Sequence, residues 1–244
     1  ILPQLLEYQV DGILITAATL SSAMAYECER WGTPVTLFNR YIPESNASWF
    51  CCDNVTGGSM VGQLFLDSGH KRPAYLAGSE DTSTSIDRET GFMEIMNKNG
   101  VETLREVGNY NYNDAYTAAI RLMDRPDPTD AIFCSNDIMA FGAIDAARSG
   151  LGLKIPDDVS IIGFDDIPMA SWPSFNLTTV RQPIHNMIDG SVEDLISRIK
   201  IPEKPPRHEV ITGELVIRSS ARIPSGLSQG WVISQEVESR NRVI

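Results

Sequence analysis

The sequence predicts an α/β fold in which two doubly wound, Rossmann-like lobes with parallel sheets are joined by more than one crossing of the chain. Short apolar runs alternate with amphipathic stretches along the 244 residues, and strands that are apolar on both faces are typical of a parallel sheet covered by helices. The strands are too many for one small sheet. Proline-containing segments at residues 181–185 and 201–208 therefore favour crossings between two bodies.

The predicted elements follow one another as βαβ units. Apolar runs predict strands at residues 10–16, 34–39, 49–54, 72–79, 104–111, 130–137, 158–166 and 177–183. A helical period predicts helices at residues 20–32, 57–70, 87–100, 113–126, 138–150 and 185–200. Gly32 and Gly100 end two of these helices, and Pro126 breaks a third. Residues 208–221 predict a hairpin or one long strand.

These elements divide into two discontinuous lobes. We expect the first lobe to contain residues 1–68 and 183–205, and the second to contain residues 69–182 and 206–223. Residues 224–244 form a tail whose structure the pattern does not define, either a disordered end or an additional packed strand.

The composition limits the classes of function. A net charge of −12 repels phosphate backbones, so we expect no nucleic-acid binding by this chain alone. The 4 cysteines and 3 histidines lack metal-binding spacing, so we expect no metal site, and reduced thiols fit a cytoplasmic location. No apolar run approaches the ~18 residues of a membrane span, so we expect no membrane association. Because the chain begins with Ile1 rather than Met, we expect further residues to precede it.

Polar side chains stand where five of the predicted strands end, and open parallel sheets bind ligands at the carboxyl ends of their strands. They are Asp53 and Asn54, the Ser/Thr-rich loop before Arg88, Tyr110 and Tyr112, Asn136 and Asp137, and Asp165 and Asp166. Carboxylates and amides pair with hydroxyl groups, Arg supplies a fork of donors, and an aromatic ring covers an apolar face. The set predicts a pocket for a sugar or another polyol.

Two adjacent pairs require a choice of roles. We predict that Asp137 caps the helix that follows it and that Asn136 contacts the ligand. In the second pair, Asp165 is predicted to face the ligand, whereas Asp166 hydrogen-bonds within its loop.

Other candidates have a structural alternative. Arg88 could form a salt bridge on the surface of its helix, and Asp53 could belong to a turn. Tyr110 could pack in the lobe core instead of stacking on a ligand. Thr84 could make a hydrogen bond within its own loop instead of contacting a ligand.

The motifs together resemble the lactose-repressor (LacI/GalR) family of bacterial transcription regulators over nearly all of residues 10–222. The segments that carry the resemblance, in chain order, are "DGILIT", "PVTLFNR", "DNVTGG", "SGHKRPAYLAG", "DRETGF", "DAIFCSNDIMAFGAIDAAR", "IPDDVSIIGFDDIPMASWPSFNLTTVRQP" and "LVIRSSA". The resemblance implies a periplasmic-binding-protein-like core with three crossovers between the lobes and a small ligand in the cleft.

The resemblance also implies ligand contacts. The polar contacts that it implies are Arg88, Asn136 and Asp165, and the aromatic stacking position is Tyr110. It also implies that Thr84 and Ile184 line the wall of the cleft and that Asp53 is a carboxylate near the cleft. No cofactor and no catalytic residue are implied.

The implied function is that of the effector-sensing core of a sugar-responsive transcription regulator. In the family, a helix-turn-helix headpiece and a hinge helix precede the core, homodimers form along the lobes, and the effector changes the lobe angle and so operator binding. The resemblance therefore implies a headpiece outside this chain and a first lobe that is incomplete at its N-terminus.

Two other functions fit the sequence less well. A periplasmic sugar-binding protein of an ABC transporter is the main alternative, because a signal peptide would occupy the same N-terminal place as a headpiece. An enzyme on the same sheet would need a nucleophile or a metal among the polar strand ends. The segment "GLSQG" at residues 226–230 matches the nucleophile-elbow pattern, but no histidine follows it and no strand precedes it. The sequence does not identify the effector, or whether it induces or co-represses.

Overall fold

The computed structural model describes residues 10–16, 28, 30, 32–42, 45–228, 230 and 232–234. The strands are β1 (Ile13–Ile15), β2 (Val35–Phe38), β3 (Ser48–Cys52), β4 (Pro73–Ala77), β5 (Leu104–Val107), β6 (Ala131–Cys134), β7 (Ser160–Asp165), β8 (Thr178–Arg181), β9 (His208–Ile211), β10 (Glu214–Val216) and β11 (Val232–Ser234). The helices are α1 (Asn54–Asp67), α2 (Ser83–Lys98), α3 (Tyr112–Met123), α4 (Asp137–Asp145) and α5 (Ile184–Lys200). A π-helical turn, Ala146–Gly150, continues α4, and a 3-10 helix spans Pro168–Ser171. The predicted α/β fold class with parallel sheets is confirmed.

The chain divides into two compact units. Unit 1 comprises Ile1–Asp53, Thr82–Thr84 and Pro183–Ile211, and unit 2 comprises Asn54–Asp81, Ser85–Gln182 and Thr212–Ile244. The main passages of the chain from one unit to the other therefore follow β3, β8 and β9.

Unit 1 is built on a parallel sheet with the strand order β1-β2-β3-β9. Helix α5 packs so closely on this sheet that a Cβ atom at Gly190 would lie 2.7 Å from the ring of Phe50. Near the end of α5, Nη1 of Arg198 donates hydrogen bonds to the Val35 carbonyl oxygen (3.0 Å) and to Ser48 Oγ (3.1 Å). These contacts fix the helix across the strands β2 and β3.

Unit 2 is built on a sheet with the strand order β11-β10-β8-β7-β6-β4-β5. Strands β4 to β8 pair in parallel, whereas β10 and β11 are antiparallel additions. Side chains alternate between two covered faces. Tyr75 and Phe133 lie in an aromatic cluster on one face, and Leu76, Ile132 and Ile161 belong to an aliphatic cluster on the other. This alternation explains why β4 and β6 are buried along their whole length.

The parallel part of unit 2 contains a topological switch point. Its strand order, β5-β4-β6-β7-β8, is the flavodoxin-like arrangement 2-1-3-4-5. In this arrangement the connections leave β4 and β6 toward opposite faces of the sheet, and a crevice opens at their carboxyl ends. The residues that follow these two strands therefore lie where this arrangement binds ligands.

The division of the chain differs from the predicted lobes at three places, the shortest of which is Thr82–Thr84, predicted for the second lobe but found in unit 1. Residues 54–68 were predicted for the first lobe, but α1 belongs to unit 2. Gly57 allows this close packing, since a Cβ atom there would lie 2.6 Å from Phe164. Residues 206–211 were predicted for the second lobe, but β9 pairs with β3, with His208 opposite Trp49, and belongs to unit 1.

Strands β9 and β10 consequently lie in different sheets, so the predicted hairpin or long strand at residues 208–221 is wrong. In the predicted tail, β11 pairs with β10 as an additional antiparallel strand. The rest of the tail beyond Ser234, and the predicted helix at residues 20–32 except for residues 28, 30 and 32, lie outside the described residues.

Candidate functional site

The switch point of unit 2 is closed on one side by the first turn of α2. The backbone N–H of Gly78, directly after β4, donates to Ser85 Oγ (3.1 Å), and the hydroxyl of Tyr75 donates to the Ser85 carbonyl oxygen (3.2 Å). These two bonds tie α2 to the carboxyl end of β4. The next turn of the helix, which carries Arg88, is thereby placed at the end of the sheet.

Arg88 is a buried cation at this edge, with only 2% of its surface exposed. Its Nε donates to Asn54 Oδ1 (2.8 Å), and its Nη1 donates to the carbonyl oxygen of Ser135 (2.5 Å), directly after β6. Its guanidinium carbon lies 3.7 Å from the centroid of the Phe164 ring, within the range of a cation–π interaction. The alternative of a salt bridge on the helix surface is therefore wrong.

Asp165, at the end of β7, meets Arg88 at this edge. Its Oδ1 lies 3.4 Å from Nη2 of Arg88 and accepts a hydrogen bond from Gln182 Nε2 (2.5 Å). Burial raises the pKa of the Asp165 carboxyl group, and the charge of Arg88 and the hydrogen bond from Gln182 oppose this rise. About a quarter of the side chain (26%) is still exposed, so Asp165 can accept hydrogen bonds from a ligand.

The prediction that Asp137 caps α4 is wrong, whereas the ligand contact predicted for Asn136 stays a prediction. Asn136 is the N-cap of α4, and its Oδ1 accepts a hydrogen bond from the backbone N–H of Met139 (3.0 Å). Asp137 is fully buried behind the site and accepts hydrogen bonds from Thr179 and Ile167. The cause is backbone conformation, because Asn136 has the extended backbone typical of an N-cap and Asp137 already belongs to the helix.

The capping bond leaves a ligand role open to Asn136. The side chain is only partly buried, and its amide nitrogen is not required by the cap. Since the Ser135 carbonyl is bound by Arg88, the amide group stands one residue from that cation. Arg88, Asn136 and Asp165 are therefore brought to one edge of one sheet.

Tyr110 and Asp166 occupy the same edge of unit 2. Tyr110 is half-buried, and its ring lies on the backbone of Gly78, where a Cβ atom would approach it to 2.3 Å. The ring also packs on the aliphatic core cluster, so it takes part in the core as well as flanking the site. Asp166 binds Arg181 and Arg218, each at 2.6 Å, rather than its own loop.

Three predicted contacts belong to unit 1. Asp53 directly follows β3, and its backbone N–H donates to the carbonyl oxygen of Ile211 (2.9 Å). Thr84 is buried in the first turn of α2, one turn before Arg88. Ile184 is the first residue of α5 and is 36% exposed. Their role as ligand contacts stays a prediction.

Two further polar residues of this edge were not assigned a role from the sequence. Asn54, which was placed at a strand end beside Asp53, is buried and holds Arg88. Gln182 is also buried, and its Oε1 has no hydrogen-bond partner within the part of the chain that the structure describes. Since an unmet buried acceptor is costly, Gln182 presents an acceptor for a donor group of a ligand.

The described residues contain no group of three or more His, Cys, Asp or Glu side chains that could hold a metal ion. Within the same residues, no helix has the length and the apolar character that crossing a membrane requires.

The chain matches a protein-family model and is similar in sequence to bacterial transcription regulators. A family model described as a periplasmic binding protein-like domain matches residues 63–221. The chain is 30% identical over 216 residues to the probable HTH-type transcriptional repressor ExuR of Bacillus subtilis, covering 87% of this chain and 65% of ExuR. It is 29% identical to the HTH-type transcriptional regulator CelR of Thermobifida fusca, covering 86% of this chain and 63% of CelR. The chain thus spans less than two thirds of the length of these relatives.

Solved structures of transcriptional regulators are also similar to this chain. The complex of the transcriptional regulator CelR with cellobiose is similar at a TM-score of 0.82 and 28% identity, covering 90% of this chain and 70% of that one. A LacI-family transcriptional regulator from Enterococcus faecium with bound ribose is similar at a TM-score of 0.83 and 25% identity, covering 91% of this chain and 83% of that one.

Proposed function

We propose that this chain, which belongs to the family of periplasmic binding protein-like domains, is the effector-sensing core of a LacI-type transcriptional regulator. We further propose that the effector is a sugar or a sugar derivative. The observation that carries the proposal is the meeting of Arg88, Asn136 and Asp165 at the carboxyl edge of the unit 2 sheet.

The chemistry of this edge suits a polyhydroxylated ligand. A sugar hydroxyl group both donates and accepts, so it needs partners of both kinds. The guanidinium of Arg88 and the amide nitrogen of Asn136 supply donors, while Asp165 and the buried Oε1 of Gln182 supply acceptors. The ring of Tyr110 beside them is able to cover an apolar face of a sugar.

Further contacts are proposed on the resemblance to the lactose-repressor family. Asp53, Thr84 and Ile184 are included as contacts from unit 1. Two relatives of known structure have cellobiose or ribose bound, which supports a sugar as the class of effector here.

The partners of the whole regulator are likewise proposed. We infer that operator DNA is bound by a helix-turn-helix segment outside this chain, because the relatives are named as HTH-type regulators and this chain has a net charge of −12. We propose that the regulator is a cytoplasmic homodimer with no catalytic activity. The names of these relatives support a regulator over a solute-binding protein of a transporter.

Titration calorimetry of this chain with D-ribose and cellobiose tests the proposed site. Replacing Arg88 with Ala removes hydrogen bonds from a charged donor, so we expect affinity for the sugar that binds to fall about a hundredfold or more. Asp165→Asn keeps the shape of the side chain and removes its charge, and we expect a loss of about tenfold.

The matched control is Arg105→Ala, which removes an exposed arginine of β5 that pairs with Glu80 and Glu89. This variant is expected to bind sugar like the unmodified chain. A folded Arg88→Ala variant with unchanged affinity would exclude this edge as the site, and absence of binding to either sugar would contradict a ribose or cellobiose effector.

A further inference from the structure

Asp137 has an unusual environment for a carboxyl group. It is completely buried, Thr179 Oγ1 lies 2.6 Å from its Oδ1, and the backbone N–H of Ile167 donates to its Oδ2 (2.9 Å). It forms no ion pair with any residue that the structure describes. Burying a carboxyl group costs free energy, and hydrogen bonds offset this cost. Asp137 has one hydrogen bond at each of its two carboxyl oxygens.

The carboxyl group is seated directly on the backbone of β7. A Cβ atom at Gly163 would lie 2.3 Å from Asp137 Oδ1, so glycine is required here for space. Gly163 stands two residues before Asp165 on the same strand, and Ile167 stands two residues after it. Asp137 therefore contacts the chain on both sides of the residue that meets Arg88.

The chain at Asp165 is in a conformation that non-glycine residues rarely adopt. Asp165 has φ = 122° and Asp166 has φ = 56°. Such backbone persists only where surrounding contacts hold it. Asp166 is bound by Arg181 and Arg218, and the next residue, Ile167, is bound through its N–H by Asp137.

We propose that Asp137 is a positioning residue, which holds residues 165–167 in the turn that places the Asp165 carboxylate beside Arg88. The inference rests on the proposed function in so far as Asp165 is an effector contact. Asp137 itself stays behind the site and touches no ligand.

The charges around Asp137 indicate which protonation state performs this role. The acidic groups near it are Asp165, Asp166 and the Cys134 thiol, whereas the nearby arginines bind Asp165 or Asp166. Burial, and then the charge of Asp165, raises the pKa of Asp137 to about 8. An ionised Asp137 accepts from both Thr179 and Ile167. When the carboxyl group is neutral, the Thr179 hydroxyl group rotates to accept a hydrogen bond from it, the bond from Ile167 remains, and Asp165 is not repelled. Effector binding is therefore expected to weaken as Asp137 ionises.

Two substitutions separate the hydrogen bonds from the charge. Asp137→Asn reproduces the neutral group, since an amide can donate to Thr179 and accept from Ile167. Asp137→Ala removes both bonds. The first readout needs no ligand: hydrogen exchange of the Ile167 amide, corrected for its intrinsic pH dependence, is expected to stay slow in Asp137→Asn and to become about tenfold faster or more in Asp137→Ala.

The unmodified chain provides the same test if Asp137→Ala does not fold. Between about pH 5 and pH 9, the corrected exchange of the Ile167 amide is expected to accelerate up to about pH 8 in the unmodified chain and then to level off, because an opening that exposes Asp137 releases its proton, and it is expected to stay constant in Asp137→Asn. Constant exchange in both proteins, or slow exchange in a folded Asp137→Ala variant, would overturn the inference.

Titration with D-ribose and cellobiose over the same pH range is the second readout. The affinity of the unmodified chain is expected to fall several-fold as pH rises, whereas that of Asp137→Asn is expected to be independent of pH. Equal pH dependence in the two proteins would contradict the role of Asp137. If the exchange results are as expected and neither sugar binds, the positioning role stands and the proposed sugar effector fails.

Discussion

At the scale of single residues, Asn136 can use its two polar atoms for different purposes. Its Oδ1 caps α4 through the N–H of Met139, and its amide nitrogen is the donor that we assign to the effector. Asn136→Ala removes both groups, so we expect the free energy of unfolding to fall by about 1 kcal/mol and sugar affinity to fall as well. Urea denaturation and calorimetric titration measure the two effects.

Asn136→Asp separates these effects, because aspartate caps a helix as well as asparagine but has no donor. This variant is expected to keep the stability of the unmodified chain while losing about tenfold in sugar affinity. Unchanged affinity in Asn136→Asp would remove the amide from the ligand site. A loss of stability equal to that of Asn136→Ala would show that Oδ1 does not provide the cap.

The sequence allowed correct prediction of which residues lie at the carboxyl edge of unit 2, because strand ends are recognisable from apolar runs. It did not allow the helix cap to be assigned between Asn136 and Asp137, since both residue types are good N-caps and the choice depends on a difference of one residue in where the helix begins. Gln182 was missed for another reason. Its contact with Asp165 depends on the register of β7 against β8, in which Asp165 lies opposite Arg181.

At the scale of elements, the position of Arg88 depends on a close crossing of α1 and α2. A Cβ atom at Gly91 would lie 1.9 Å from the Val55 carbonyl oxygen, and one at Gly58 would lie 2.2 Å from that of Arg88. Gly91→Ala should force the helices apart, so we expect a loss of about 1–3 kcal/mol in the free energy of unfolding. Because Asn54 begins α1, its bond to Arg88 should lengthen and sugar affinity should fall.

The neighbouring substitution Thr90→Ala is the matched control for this crossing. Thr90 is exposed, and its hydroxyl group donates to the Ile86 carbonyl oxygen within the same helix. Stability and affinity are expected to change little in this variant. If Gly91→Ala is as stable as Thr90→Ala and binds sugar equally well, the crossing does not position Arg88.

Elements were predicted better than their partners. The helical period located the helices, and α3 and α5 repeat their buried residues on one face, whereas α4 is buried along nearly its whole length. The pairing of β9 with β3 and of β10 with β8 could not be predicted. Only two residues separate β9 from β10, and yet these two strands belong to different sheets. Short connections favour hairpins, and only the tertiary structure overrides this preference.

At the scale of the whole molecule, one partly buried and one fully buried carboxyl group act on stability in opposite directions. Burial alone would raise the pKa of Asp130, but the neighbouring His70 ring and the hydrogen bonds donated by the N–H groups of Lys71 and Arg72 outweigh it and hold the pKa well below its ordinary value. Asp137, by contrast, has its pKa raised to about 8 by burial and by the charge of Asp165. The pH dependence of unfolding is therefore expected to have two limbs.

The acidic limb comes from Asp130. Its carboxylate stays ionised in the folded chain while the unfolded chain takes up a proton, so stability is lost as pH falls below the ordinary carboxyl pKa of about 4. The alkaline limb comes from Asp137, which keeps its proton in the folded chain after the unfolded chain has released it. Stability is therefore lost as pH rises from about 4 to about 8, by a few kcal/mol at most.

Denaturant unfolding at a series of pH values tests both limbs, with the maximum stability expected at mildly acidic pH. Asp137→Asn removes the titrating group and should flatten the curve between about pH 5 and pH 8, while the loss of stability in acid remains. Asp130→Asn should instead flatten the acidic limb and leave the alkaline one. Each variant thus serves as the control for the other. An alkaline limb that persists unchanged in Asp137→Asn would mean that this carboxyl group is already ionised in the folded chain at neutral pH.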